Sequence, residues 1–335
     1  MNKAEKIDFV ILWVDGNDES WQKEKSKYEA DKNNTDSSNT RYREWGLLKY
    51  WFRSVEKNAP WVNRVYFVTN GQKPDWLNID CEKLVHVKHE DFMPQRYLPT
   101  FNANPIELNL HRIKGLSNRF IFFNDDMFIL KRLKPSFFFN GALPRDEAVI
   151  NPMIVMENSV STHMLVNDIE YINNAYKKND VIKNNFSKWF SLRYGSKLAR
   201  TIAMMPFKKF AGLYFDHMPA SFIKNDYIEA WKTYGDVFES TSMNKFRSKN
   251  DVNHWLIKAN RMCKGKFFPR STEFGKNIVI SDDTINEIDK IIAKKSKKII
   301  CLNDGEYDDK TFDRLKRRLV KTFDDMYPDK SMYEK

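Results

Sequence analysis

An α/β fold, with a parallel or mixed sheet flanked by helices, is what the amino-acid sequence predicts, on three observations. Short apolar runs rich in β-branched and aromatic residues read as buried strands. Each run breaks abruptly into a polar or glycine-bearing loop, and an amphipathic helical pattern lies between two of them. Strand and helix in alternation call for a parallel sheet whose crevice collects the loops at the strands' carboxyl ends.

The first run spans residues 7–14 and breaks at Asp15-Gly16-Asn17-Asp18, a turn sequence with acidic side chains. Across residues 44–58, Trp45, Leu47, Leu48, Trp51, Phe52 and Val55 recur at three- and four-residue spacing, as a helix lying on a sheet requires. The second run, 64–69, stops at Asn70-Gly71-Gln72. The third is the most informative: Arg119-Phe-Ile-Phe-Phe-Asn124 leads straight into Asp125-Asp126, followed by Met127-Phe-Ile129. Paired carboxylates at the end of a buried strand stand where open α/β sheets hold their ligands, and serve there as metal ligands or a general base. A strand that simply leaves the core into a solvated turn has the same sequence. Residues 297–302 read as another strand, stopping at Asn303-Asp304-Gly305 and repeating the pattern.

Between residues 151 and 215 long helical patterns take over, and no Asp or Glu occurs from Val181 to Phe215. Lys183, Lys188, Arg193, Lys197, Arg200, Lys208 and Lys209 alternate there with Phe186, Trp189, Phe190, Tyr194, Phe207, Phe210, Tyr214 and Phe215. Such a mixture suits peripheral contact with an anionic bilayer through 181–215, a groove for an acidic glycan, or an ordinary insert whose aromatics pack. The expected organisation is an α/β half (1–150), a basic aromatic helical insertion (151–215) and a second half (216–335) completing the same domain. Residues 31–40, polar and without an apolar anchor, read as a mobile loop.

In the second half His217, within Asp216-His217-Met-Pro219, falls in a loop or at a helix start, as acid, base, donor or structural residue. Arg247 is a surface charge or a phosphate clamp, and Ser248 or Asn250 is the expected cap of a helix over 251–264. The chain of 335 residues carries 56 basic against 45 acidic side chains, a net charge of +11 that favours an anionic partner. The basic residues are spread along the chain and no nucleic-acid motif appears, which argues against nucleic acid. Cys81, Cys263 and Cys301 are widely spaced and read as reduced, buried thiols of a cytoplasmic protein rather than ligands. No apolar run approaches the roughly 20 residues of a membrane span, and the apolar run of residues 7–14 lacks a cleavage site.

Four blocks in order resemble the conserved regions of the Stealth proteins. They are Trp13-Val-Asp15-Gly16-Asn-Asp18; residues 41–129 with Arg53-Ser-Val-Glu-Lys-Asn-Ala-Pro-Trp61, Leu98-Pro-Thr-Phe-Asn102 and Asn124-Asp125-Asp126; Asp216 through Asn253; and Cys301-Leu-Asn303-Asp304. Stealth proteins are sugar-phosphate transferases of bacterial capsule synthesis, related to the animal lysosomal-enzyme N-acetylglucosamine-1-phosphotransferase. The resemblance implies a Rossmann-like, glycosyltransferase-A-like fold, a UDP-linked hexose donor and a glycan acceptor, either a polymer or a lipid-linked oligosaccharide. Hexose 1-phosphate passes to a sugar hydroxyl, leaving a phosphodiester and releasing UMP.

That reaction needs charge neutralisation on the diphosphate, a base and in-line alignment. Mg²⁺ or Mn²⁺ on Asp125 and Asp126, Asp126 as base with His217 next in rank, and Arg247 on the transferred phosphoryl group meet those needs. Direct transfer ranks above a phosphohistidine route. For the donor the resemblance points to Trp13, Asp15, Gly16, Arg43, Asn70, Gly71, Gln72, Asn303 and Asp304, and for the acceptor to Glu107, His111 and Arg112. Two rivals stand beside this reading: a metal-dependent glycosyltransferase that releases UDP, and a non-catalytic polyanion-binding protein.

Overall fold

A computed structural model of the chain describes residues 5–29, 35–36, 42–156 and 159–335. The main sheet has five strands in the order Leu84–Lys88, Val65–Thr69, Ile7–Leu12, Arg119–Asn124 and Ala220–Ile223. The first four are parallel and the last runs antiparallel. From Ile7–Leu12 the chain builds outward on one side and then returns to add Arg119–Asn124 on the other. That reversal opens a crevice beyond the paired residues Leu12 and Asn124.

Both faces of this sheet are covered, which is why its strands read as nearly unbroken apolar runs. Phe9, Ile11, Phe67, Ile121 and Phe123 enter one core, closed by the helices Leu48–Asn58, Ile285–Lys294 and Asp309–Met326. Their strand neighbours Val10, Leu12, Tyr66, Phe120 and Phe122 enter a second core, closed by Val160–Ala175, Lys224–Met243 and His254–Cys263.

The third apolar run proves to be two strands. Met127–Ile129 belongs to a second, three-stranded sheet with Gly275–Val279 and Ile299–Asn303, and it pairs antiparallel to the latter. Asp125 and Asp126 are the whole of the connection between the sheets. The Leu302 amide donates to the Asp126 carbonyl at 2.9 Å, so the last strand is stitched to the connection itself.

Two helix boundaries differ from expectation for local reasons. The helix expected over 44–58 starts at Leu48, because Gly46 takes φ 72° and the Glu44 carboxylate folds back onto the Gly46 amide at 2.6 Å. The helix expected over 251–264 is His254–Cys263, capped by Asn253 rather than by Ser248 or Asn250. Ser248 instead holds the Asn250 amide at 3.2 Å in the turn before it.

Helices Val160–Ala175, Lys178–Asn184, Phe186–Trp189 and Leu198–Ala203 occupy the expected insertion, with Ile172, Trp189, Tyr194 and Phe210 buried in the second core. Residues 31–40 lie outside the described residues except for Thr35–Asp36, whose backbone pairs antiparallel with Arg247–Ser248. Among the described residues no helix is long and apolar enough to cross a membrane.

Asp8, fully buried in the first strand, ties the sheet to its loops: it accepts from Asn63 Nδ2 at 2.6 Å, the Arg64 amide at 3.2 Å and the Ser117 amide at 2.7 Å. Asp8→Ala strands these donors, so urea unfolding is expected to show a loss of about 2 kcal/mol or more; an unchanged midpoint would remove Asp8 from this role.

Candidate active site

Beyond the ends of Ile7–Leu12 and Arg119–Asn124 lies a cleft of about 1030 Å³. Its lining includes Trp13, Arg43, Asn70, Glu107, Asp125, Asp126, His217, Arg247, Asn303 and Asp304. Residues far apart in the chain therefore share one wall-to-wall space.

The pairing of Ala220–Ile223 against Arg119–Asn124, with Phe122 opposite Ala220, carries the preceding His217 to the end of the neighbouring strand. There Asn124 Nδ2 donates to His217 Nε2 at 2.7 Å, and His217 Nδ1 donates to Asn303 Oδ1 at 3.0 Å. These two amides place the ring proton on Nδ1 and hold the ring in plane. Trp255 stands edge-on to it, 6.4 Å between centroids, and is itself stacked on Phe215. Asp126 Oδ2 lies 3.9 Å from His217 Nδ1, while Asp126 Oδ1 is buried without a hydrogen-bond partner. Asp125 opens into the cleft; its enclosure by protein, then the Asp126 and Glu44 carboxylates, push its pKa well above the usual range.

Arg247 reaches the cleft from a loop secured by amides. Asp251, buried, accepts from Asn102 Nδ2 at 2.8 Å, Asn104 Nδ2 at 3.0 Å, Asn244 Nδ2 at 2.7 Å and the Ser248 amide at 3.1 Å. Asn167 Nδ2 donates to the carbonyls of Lys249 and Asp251 at 2.8 and 2.9 Å. Beside this loop Glu107 Oε2 pairs with His254 Nδ1 at 2.7 Å, both buried. Burial disfavours a charged Glu107, but His254, with Arg247 and His217 adding to it, holds the carboxyl below its ordinary pKa.

On the other wall, Arg43 lies 4.7 Å from the Phe312 ring centre and 5.6 Å from that of Tyr307, with Nη1 3.8 Å from Asp304 Oδ1. Tyr307 Oη and the Gly305 amide donate to the same Asp304 oxygen at 2.7 and 2.8 Å. Asp304 Oδ2 is buried and unpartnered. Trp13 turns its indole N–H to Glu44 Oε2 at 2.8 Å. Burial raises the Glu44 pKa against that hydrogen bond.

Beneath the site runs a buried ion network. Lys258 Nζ lies 3.0 Å from Glu147, 3.6 Å from Asp216 and 3.7 Å from Asp146, and Arg261 bridges Asp146 and Asp226 at 2.7 and 2.6 Å. Burial works against the Lys258 charge, but Glu147, Asp216 and Asp146 outweigh it and keep the amine protonated. Asp216 precedes His217, so this network fixes the backbone from which the imidazole projects.

Six residues named from the sequence do not line the cleft. Asp15 and Gln72 close on each other, with the Gln72 side chain bonding both the Asp15 amide and its carbonyl at 3.0 Å. A Cβ on Gly16 would meet the Tyr42 carbonyl oxygen at 2.1 Å, so close packing accounts for this glycine. The Gly71 amide donates to Thr69 Oγ1. His111 packs on Tyr227 and Trp231, and Arg112 lies over Trp231. Burial, with Arg112 adding to it, lowers the His111 pKa to about 4.

Four residues with no role assigned from the sequence belong to the site or its support: Glu44, Asn124, His254 and Cys301. Asn124 carried a signal as the polar residue closing the strand, and Cys301 only as part of the fourth family block. Cys301 Sγ lies 3.5 Å from His217 Nδ1 and donates to Asn303 Oδ1 at 3.3 Å.

Donor atoms of Asp126, His217 and Cys301 lie within 4.8 Å of one another. Within that group Asp126 Oδ1, buried and unpartnered, fits a divalent cation that seeks carboxylate oxygen. Burial, then Asp126, pushes the Cys301 thiol up, leaving it a neutral hydrogen-bond donor.

The chain matches Stealth protein conserved region 1 over residues 5–33, conserved region 2 over 41–145 and conserved region 4 over 289–335. It is 45% identical, over 100% of both chains, to the capsular polysaccharide phosphotransferase WcwK of Streptococcus pneumoniae. It is 38% identical to the exopolysaccharide phosphotransferase cps2G of Lactiplantibacillus plantarum, covering 98% of this chain and 96% of that one. To the receptor polysaccharide phosphotransferase WefC of Streptococcus gordonii it is also 38% identical, over 99% of both. Among solved structures it is similar to the galactosyltransferase LgtC in complex with donor and acceptor sugar analogs, at 9% identity and TM-score 0.40 over 94% of this chain and 95% of that one.

Because Glu107 is held below its ordinary pKa, its contribution to stability is present above about pH 4.5 and lost as pH falls through the folded-state value. Glu107→Gln is therefore expected to lower the unfolding midpoint at pH 7, with the gap to the unaltered chain narrowing below pH 4.5. A gap that widens on acidification would contradict this.

Proposed function

This chain belongs to the Stealth family of sugar-phosphate transferases, and we propose that its cleft transfers hexose 1-phosphate from a UDP-linked sugar to a glycan hydroxyl, releasing UMP. The observation that carries this reading is the meeting of Asp125, Asp126, His217 and Arg247 in one cleft with Arg43 and Asp304. Carboxylates alone suit many reactions. Two guanidinium groups lining one cleft with several carboxylates suit a diphosphate, whose charge they would divide with a cation.

Mg²⁺ or Mn²⁺, held by Asp125 and Asp126, would neutralise charge on the diphosphate. Arg247 grips the non-bridging oxygens of the phosphoryl group next to the sugar, using its planar donor fork. Arg43, steadied between Phe312 and Tyr307, takes the remaining phosphate. Trp13, Asn70 and Asn303 complete the donor side, and Glu107 belongs to the acceptor side. Asp126 takes the proton of the acceptor hydroxyl through its carboxylate oxygen not engaged by the cation, because the His217 Nε2 lone pair is occupied by Asn124. His217, held by its two amides, stands beside the Asp126 carboxylate with Nδ1 3.9 Å from Oδ2. The acceptor oxygen bonds to phosphorus, the bond from phosphorus to the UMP oxygen breaks, and UMP leaves with the electron pair.

Incubation with UDP-hexoses, Mg²⁺ or Mn²⁺ and a glycan acceptor is expected to give a phosphodiester resonance in the phosphorus NMR spectrum, together with UMP. Asp126→Asn should lower turnover by about 10²–10⁴-fold, and Arg247→Lys by about 10²–10³-fold, both with unchanged unfolding midpoints. Release of UDP in place of UMP would overturn phosphotransfer, and full turnover in either variant would remove that residue from it.

A further inference from the structure

Many of the exposed large apolar side chains of this protein sit in the insertion. Ile154 is 84% exposed and Leu192 86%, and Val155, Met156, Phe186, Ile202 and Phe207 are exposed as well. The interfacial aromatics prominent in the sequence are mostly not this set: Trp189, Tyr194 and Phe210 are buried in the second core. What remains at the surface is chiefly aliphatic, and each such side chain is better off where apolar surroundings cover it.

The insertion is held as one body at its base. Ile150 bridges Leu213, the Asn151 amide donates to the Gly212 carbonyl at 3.2 Å, and Arg200 Nη1 donates to Asn151 Oδ1 at 2.6 Å. The exposed segment 154–156 is thus anchored beside the 200–212 stretch that carries Ile202 and Phe207. Lys183, Arg193, Arg200, Lys208 and Lys209 are exposed on the same insertion, which has no acidic residue from 181 to 215. Among the described residues, Lys197 alone of its basic side chains forms an ion pair with a carboxylate, that of Glu273.

Position matters as much as composition. Val160, Ser161 and Met164, just after the exposed 154–156 segment, line the catalytic cleft, and so does Phe215 at the insertion's other end. The exposed 154–156 segment therefore lies only a few residues along the chain from the cleft lining.

We propose that the insertion docks on an anionic lipid bilayer, its exposed aliphatic side chains entering the headgroup boundary and its exposed lysines and arginines facing the lipid phosphates. A bilayer is the occupant favoured over a soluble acidic glycan because a polyanion would pair with the charges yet leave Ile154, Leu192 and Phe207 in water. Docking sets the cleft mouth at the membrane surface, within reach of the glycan of a lipid-linked acceptor. That last consequence rests on the phosphotransfer reading; the docking does not.

The test uses the full chain without nucleotide sugar, sedimented with phosphatidylcholine vesicles with and without phosphatidylglycerol. Binding is expected only to the anionic vesicles, weakening as salt rises. Ile154→Ser, Leu192→Ser and Phe207→Ser combined should weaken it by about tenfold or more, and Lys183→Glu with Lys208→Glu likewise. Turnover of a water-soluble acceptor and the unfolding midpoint should stay unchanged in both variants. No binding to anionic vesicles, binding indifferent to either variant, or preferential capture by a soluble acidic polysaccharide would each overturn the proposal. Since vesicle binding is read without catalysis, its failure is distinct from a failure of phosphotransfer.

Discussion

Between Asn124 and Met127 the chain passes from one sheet to another in two residues, and the geometry of the site is set by that passage. Strands on either side are buried, so their backbones are satisfied within their own ladders and leave no slack at the junction. Two carboxylates are thereby fixed at the seam. The antiparallel partner of Met127–Ile129 brings Cys301 and Asn303 to the same place, and the antiparallel neighbour of Arg119–Asn124 brings His217. Hydrogen bonds from Asn124 and to Asn303 then lock the imidazole between the two sheets.

Support for this seam comes from charge as well as from packing. Lys258, Arg261 and Arg270 meet Asp146, Glu147, Asp216 and Asp226 under the cleft, and nothing but mutual pairing makes so many buried charges tolerable. Such a network contributes little net stability but makes any displacement of the Asp216 backbone costly. Above it, the Asp251 carboxylate with Asn102, Asn104 and Asn167 performs the same service for the loop of Arg247. The turns that carry His217 and Arg247 are thus each tied down by ion pairs or hydrogen bonds from several elements.

How much of this was legible in the residues depended on how sharply each run ended. Buried strands that stop at Asp15, Asn70, Asp125 and Asn303 could be read because apolar character is lost within a residue or two. The same signal hid the change of sheet at Asp125 and Asp126, since one run interrupted by a turn and two strands in different sheets look alike. Polar residues at strand ends were not separable by type: Asn70 lines the cleft while Gln72, two positions on, serves the Asp15 backbone. Glu44 and His254 sat inside helical patterns, where a charged residue reads as a solvated face. His111 and Arg112, which the family resemblance put on the acceptor side, pack instead against Tyr227 and Trp231 outside the cleft lining. Three-dimensional partners, not residue type, made these distinctions.

At the centre of the account stands the claim that the seam acts on phosphorus rather than on the sugar's anomeric carbon. A UDP-hexose labelled with radioactive phosphorus in the phosphate adjoining the sugar tests it most directly. The label is expected in the glycan product, with unlabelled UMP released. Label retained wholly in the nucleotide, with sugar transferred, would contradict the account.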